Sequence, residues 1–60
     1  MFLEYDPFFD VYRFRFGQVF TDWRGVRYTG TLAEAKALLA EAGCRLGRKS
    51  DSRTWPILTK

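Results

Sequence analysis

The 60-residue sequence contains no histidine and only one cysteine, Cys44. A structural zinc site takes about four Cys, His or carboxylate ligands, so we expect no metal and no other cofactor. A single cysteine cannot form a disulfide within the chain, and this favours a cytoplasmic protein. Residues 1–10 hold no basic residue, and no stretch approaches the ~18 apolar residues of a membrane span. The sequence therefore predicts neither a signal peptide nor a membrane anchor.

The sequence also has few side chains that could act in catalysis. General acid–base catalysis uses histidine more than any other residue, and Cys44, Ser50 and Ser52 have no partnering base beside them in the sequence. The glycines are scattered singly, so no phosphate-binding loop is present. We expect a protein that is not an enzyme and has no small-molecule substrate.

Aromatic residues and basic charge are what the chain has in quantity. Six Phe, three Tyr and two Trp give a core large enough for one domain over residues 1–60. The net charge is +3, but residues 1–10 carry only acidic charge, at Glu4, Asp6 and Asp10. We divide the domain into an acidic N-terminal arm or short strand (1–10), a ββ(β)α core (11–43) and a basic tail (44–60). A basic body favours an anionic partner.

Two hairpins are predicted in the core. Residues 11–16 alternate between aromatic and other side chains, which is typical of a half-buried strand. Gly17-Gln18 fits a type II′ turn and Arg24-Gly25 a second turn. The two turns independently assign the side chains of the shared strand to the same faces of the sheet. The face toward the core holds Tyr12, Phe14, Phe16, Val19, Thr21, Trp23, Val26 and Tyr28, and the outer face holds Arg13, Arg15, Phe20, Asp22 and Arg27.

One helix follows, over about residues 31–42. Thr31 is its expected N-cap, Glu34 completes a capping box, and Gly43 is the expected C′ residue. An apolar stripe that includes Leu32, Leu38 and Leu39 should cover the aromatic face of the sheet. The fold class is therefore α+β: an antiparallel sheet of three or four strands, one helix packed on its aromatic face, and an extended C-terminal segment. Because Pro56 lacks an N–H, we place that segment at a sheet edge.

The candidate binding residues form two groups. Arg13, Arg15 and Arg27, with Arg24 at the turn, are expected to surround the exposed ring of Phe20, where guanidinium groups can bind phosphates and the ring can stack on a base. The alternative is a solvated face with Asp22 in cross-strand ion pairs. The second group is Arg48, Lys49 and Arg53, flanked by Arg45 and Lys60, which can contact a phosphate backbone or simply form a charged surface.

The strand order of residues 11–42, closed by "YTGTLAEAKALL", resembles small sheet-plus-helix DNA-binding modules. Examples are the arm-binding domains of tyrosine recombinases and some plant transcription factors. The resemblance implies that the outer sheet face enters a DNA groove through Arg13, Arg15, Arg24 and Arg27. No base-reading motif of these modules matches the sequence position by position.

Two main functions follow as hypotheses. The first is a non-enzymatic module that binds DNA or RNA through the arginine-rich sheet face and the basic tail. The second is an inhibitor or adaptor of the phage or plasmid type, similar to anti-CRISPR or anti-restriction proteins, that binds a host nucleic-acid-handling protein. In the second case Glu4, Asp6 and Asp10 would meet a basic groove, with Phe2, Phe8 and Phe9 as anchors. A third hypothesis is a subunit that dimerises through exposed aromatic residues.

Overall fold

The computed structural model describes residues 1–59, so Lys60 of the basic tail lies outside the described residues. It contains six strands and one helix. The strands are β1 (Phe2–Asp6), β2 (Val11–Phe16), β3 (Val19–Thr21), β4 (Tyr28–Thr29), β5 (Cys44–Leu46) and β6 (Thr54–Thr59), and the helix α1 (Leu32–Glu41) lies between β4 and β5. The α+β class and the single helix on an antiparallel sheet are confirmed, with more strands than expected.

The N-terminal segment is the central strand of the sheet. The strand order is β3-β2-β1-β6-β5, and β4 pairs with β2 beyond the end of β3. Leu3 lies opposite Phe14 of β2 on one side and opposite Trp55 of β6 on the other. Of the two alternatives for residues 1–10, arm or strand, the structure has the strand for Phe2–Asp6.

The first hairpin has the predicted register. Phe16 pairs with Val19, Arg15 with Phe20 and Phe14 with Thr21. Gly17 has φ 62°, and Gln18 is not among the residues with positive φ, as a type II′ turn requires.

The second hairpin is confirmed only at its tip, where Trp23 and Val26 form an isolated bridge. The predicted pairing of Thr21 with Tyr28 is wrong, because Tyr28 pairs with Arg13 of β2 instead. The hairpin bends toward the helix side, where Trp23 stacks on Phe14 with ring centroids 5.6 Å apart. Since directly opposed residues share a face, Tyr28 lies on the outer face and is 52% exposed.

The core is small and lies between the sheet and α1. Leu3, Phe14, Ala35 and Leu39 are fully buried. Thr31 caps the helix as predicted, since its Oγ1 accepts a hydrogen bond from the Glu34 N–H at 3.1 Å, and Gly43 has the positive φ of a C′ residue, 73°. No helix within residues 1–59 is long and apolar enough to cross a bilayer.

The helix leaves the tip of the first hairpin uncovered. Phe16 and Val19 face the helix side, as predicted, but are 67% and 66% exposed. Their predicted burial is wrong because α1 packs over β4 and β5 and does not reach the tip.

The C-terminal segment is a strand, but not the edge strand predicted from Pro56. Strand β6 lies between β1 and β5. The backbone of Pro56 faces Gly47, whose N–H donates to the Pro56 carbonyl at 2.8 Å. Gly47 follows Leu46, the last residue of β5. The hydrogen bond that the missing N–H of Pro56 would donate therefore lies at the end of the β5–β6 pairing. An interior proline is therefore tolerated.

Leu3→Ala should destabilise the domain by about 2–5 kcal/mol, because it leaves a cavity beneath the central strand. A loss of this size is most or all of the stability expected for a domain of this length. Urea unfolding followed by circular dichroism measures it. Leu58→Ala is the matched control in β6, where the side chain is 37% exposed, and should cost less than about 1 kcal/mol. Equal losses for the two variants would contradict the central role of Leu3.

Candidate functional site

The outer face of the sheet carries three of the predicted site residues. Arg13 and Arg15 flank the buried Phe14 on β2, and Phe20 lies directly opposite Arg15 on β3. Strand β1 adds Phe2, Glu4 and Asp6 to the same face, because each is directly opposed to a residue of that face on β2. The prediction that Arg13, Arg15 and Phe20 share the face away from the helix is therefore confirmed.

Arg15 is held by residues of β1. Its Nη1 lies 2.7 Å from Oε1 of Glu4, and the two side chains are only 26% and 27% exposed. The guanidinium also covers the ring of Phe2, 5.2 Å from the centroid. A charge-assisted hydrogen bond at this distance is among the stronger side-chain interactions, so Arg15 is engaged within the protein.

Arg13 lies at the centre of a group of aromatic rings. Its Nε is 3.3 Å from Oδ2 of Asp6. Its guanidinium carbon lies 5.5 Å from the ring centroid of Phe9 and 5.5 Å from that of Phe20, and 5.9 Å from that of Tyr28. Each distance is within the range of a cation–π interaction. Arg13 therefore organises the aromatic residues around it.

The β1–β2 turn adds an exposed aromatic pair. Phe8 and Phe9 pack edge to face with centroids 4.7 Å apart, yet they are 85% and 62% exposed. Oδ1 of Asp6 accepts hydrogen bonds from the backbone N–H of Phe8 at 2.9 Å and of Phe9 at 3.3 Å, which fixes the turn. Neither ring is buried in the core. We call Phe8, Phe9, Phe20 and Tyr28, together with Arg13, the aromatic cluster.

Two shallow depressions flank Arg13. One, of about 260 Å³, is lined by Arg13, Phe20, Thr21, Asp22 and Arg27. The other, of about 300 Å³, is lined by Phe9, Val11, Arg13 and Tyr28. Arg13 therefore lies between two depressions, and three rings of the aromatic cluster line them.

Of the two remaining arginines of the predicted row, Arg27 lies near Arg13 and Phe20, whereas Arg24 does not. Nε of Arg27 lies 3.8 Å from Oδ1 of Asp22, and the Arg27 side chain is 79% exposed. Both residues line the first depression. Arg24 lies on the helix side, where it lines a hollow with Leu38 and Glu41. The structure therefore does not place the four guanidinium groups in one row.

The second predicted group is more open. Arg45, Arg48, Lys49 and Arg53 are exposed and make no ion pair in the part of the chain that the structure describes. Asp51, the carboxylate among them, accepts a hydrogen bond from the Arg53 N–H at 2.8 Å, and this bond holds the pKa of Asp51 below its usual value. Nζ of Lys49 lies over the ring of Trp55, 5.0 Å from its centroid. We call Arg48, Lys49 and Arg53 the basic end. Arg45 lies apart from them, on β5 opposite Leu58.

The basic end lies beside the β1–β2 turn. The Tyr5 N–H donates to the Arg53 carbonyl at 2.8 Å, so the loop before β6 and the turn after β1 emerge at the same end of the sheet. Tyr5 also donates its hydroxyl to Oδ1 of Asp10 at 2.7 Å. Among residues 1–59, no group of three or more Cys, Asp or Glu side chains is placed to hold a metal ion.

Comparison with protein-family models, curated proteins and solved structures finds no match to this chain. The resemblance to sheet-plus-helix DNA-binding modules gains no support from these comparisons. That resemblance covers residues 11–42 only, whereas the central strand β1 and its neighbour β6 lie outside that range.

Tyr28 was not predicted as a member of the site, and Asp6 was not predicted as the partner of Arg13. The "DPFFD" motif carried a usable signal for the turn, because an aspartate often accepts hydrogen bonds from backbone N–H groups two residues on. Nothing local identifies Tyr28, whose face depends on β4 pairing with β2 rather than with β3.

Arg24→Asn should raise the free energy of unfolding by about 0.5–1 kcal/mol. Arg24 and Gly25 both have positive φ, 52° and 85°, which defines a type I′ turn, and asparagine adopts this conformation more readily than arginine. Thermal unfolding measures the change. Arg27→Asn removes the same charge from a residue that lacks positive φ and should give no such gain. A destabilised Arg24→Asn variant would contradict the turn assignment.

Asp10→Asn should lower the pKa of Tyr5. The hydrogen bond to Asp10 raises the pKa of Tyr5 above its usual value, so folding favours the protonated phenol. That stabilising contribution is complete below the pKa of an unfolded tyrosine and is lost as the pH rises through the folded pKa. Asparagine tolerates the positive φ of residue 10, 55°, and keeps the turn. Titration of the Tyr5 ring carbon resonances by NMR measures the shift, with Asp22→Asn as the control. An unchanged Tyr5 pKa in Asp10→Asn would refute the assigned cause.

Proposed function

We propose that the protein is a non-enzymatic binding module that docks on a partner protein through its aromatic cluster. The observation that carries the proposal is the 85% exposure of Phe8 on a turn whose backbone is fixed by Asp6. A large exposed ring gains free energy when a partner covers it, and the fixed backbone of the turn reduces the conformational entropy that is lost on binding.

The charge of the outer face supports a protein partner over a nucleic acid at this surface. Arg13 and Arg15 lie beside Asp6 and Glu4, which neutralise them within the chain. Affinity for nucleic acid depends on cations that are free to neutralise phosphates. Protein interfaces, in contrast, are enriched in aromatic residues and arginine, and their binding energy concentrates in such residues.

The partner we propose is a host nucleic-acid-handling protein, bound by an inhibitor or adaptor of the phage or plasmid type. In this proposal Phe8 and Phe9 are the anchors. Glu4, Asp6 and Asp10 are not assigned to a basic groove, because each is engaged within the chain. Phe2 is not assigned as an anchor either, since Arg15 covers its ring.

Direct binding of DNA or RNA is the second candidate function, and the basic end is the observation that favours it. Its three cationic side chains, Arg48, Lys49 and Arg53, are exposed and form no ion pair among the described residues. Lys49 also lies over Trp55. Binding through these residues would contact phosphates without reading sequence, and its affinity would fall steeply with added salt.

One set of variants separates the two functions. We expect Phe8→Ala/Phe9→Ala to weaken the binding of the partner protein at least about 30-fold, as for hot-spot residues, because both rings are exposed anchors. The matched control is Phe16→Ala, which removes a ring that is 67% exposed on the opposite face and should leave binding unchanged. The partner is isolated by capture on the wild-type protein from nuclease-treated cell lysate, and the purified pair is measured by calorimetry.

Arg48→Glu/Lys49→Glu tests the second function in the same assays. If binding survives nuclease and Arg48→Glu/Lys49→Glu but is lost in Phe8→Ala/Phe9→Ala, the protein-docking proposal holds. Binding to random oligonucleotides that weakens with salt and is lost in Arg48→Glu/Lys49→Glu alone would replace it with the nucleic-acid function.

A further inference from the structure

The sheet has an open edge at β3. Strand β3 is the last strand in the order β3-β2-β1-β6-β5, and it contains no charged residue or proline. The preceding turn, Gly17-Gln18, is also uncharged. Edge strands that avoid association commonly carry such residues. Apart from its short length, β3 has none of these protections.

The pairing fixes which backbone groups of β3 are free. Val19 closes a two-residue turn with Phe16, and Thr21 pairs with Phe14. In an antiparallel ladder, residues alternate between those whose N–H and C=O face the partner strand and those whose groups face away. Because Val19 and Thr21 direct their groups toward β2, Phe20 directs its N–H and C=O outward, away from the sheet.

We infer that two copies of this chain associate through antiparallel pairing of their β3 edges about a two-fold axis at Phe20. In this register Phe20 of one copy faces Phe20 of the other, with two backbone hydrogen bonds between them. Val19 lies beside Thr21 of the second copy, and Gln18 lies opposite Asp22 of the second copy. A two-fold interface requires one surface that is complementary to itself, and this edge meets that requirement.

The side chains favour this register. Phe20 lies on the outer face, and Gln18 of the turn and Asp22 flank β3 at its two ends. In the paired edges the amide of Gln18 can therefore donate to the Asp22 carboxylate of the second copy, twice. No like charges face each other. The opposed Phe20 rings form a cross-strand aromatic pair, and both are already 52% exposed in the single chain. The contact is limited to one short strand, which predicts a weak dimer.

Sedimentation equilibrium on the full chain, from about 10 µM to about 1 mM, tests the proposal with variants of an exposed turn residue. Gln18→Glu places a carboxylate opposite Asp22 in both symmetric pairs and should raise the dimer Kd by roughly fivefold. Gln18→Lys, its matched counterpart, should lower the Kd by a similar factor. Gln18→Glu/Asp22→Lys should restore association, because each new carboxylate then lies opposite a new ammonium group of the second copy.

Opposite shifts for the two single variants, with recovery in the double variant, support the β3 interface. A chain that stays monomeric over the whole range overturns it. So does a dimer whose Kd is the same in Gln18→Glu and Gln18→Lys, because that dimer uses another surface. Gln18 lies outside the aromatic cluster, so these outcomes are independent of partner docking.

Discussion

The packing of Leu3 between Phe14 and Trp55 is the contact on which the rest of the structure depends. Leu3 is fully buried and lies opposite a large aromatic residue on each neighbouring strand. Without β1, the hairpins of residues 11–29 and the β5–β6 pair share no backbone ladder. The strand order thus joins β1 and β6 at the centre of the sheet. Four hydrophobic residues are fully buried among residues 1–59, and so small a core depends strongly on that junction.

The same strand determines the electrostatic character of the outer face. Because β1 alternates, burying Leu3 directs Glu4 and Asp6 to the side where Arg13 and Arg15 lie. The ion pairs that result remove the free positive charge that a nucleic-acid surface needs, and they leave the guanidinium of Arg13 to order three rings. The outer face is consequently aromatic and nearly neutral, although the chain as a whole is basic.

Local features of this fold were predictable from the sequence, and non-local ones were not. The type II′ turn at Gly17 and the cap at Thr31 are set by residues within four positions of each other, and both were predicted. The places of β1, β4 and β6 depend on which distant strand offers a free edge, and no short pattern encodes that. For the site, alternation placed Arg13, Arg15 and Phe20 on one face. The carboxylates that neutralise the two arginines come from another strand, so the charge of the site was overestimated.

The two candidate surfaces are neighbours, and this constrains how they can act. Because the Arg53 carbonyl bonds to the Tyr5 N–H, the basic end and the turn bearing Phe8 lie at the same end of the sheet. A partner seated on Phe8 and Phe9 is therefore next to the loop that bears Arg53. Long-range charge mainly raises association rates and orients the encounter, whereas buried aromatic contacts govern dissociation. A partner with an acidic rim around an apolar centre would use both surfaces at once, the basic end for capture and the aromatic cluster for retention.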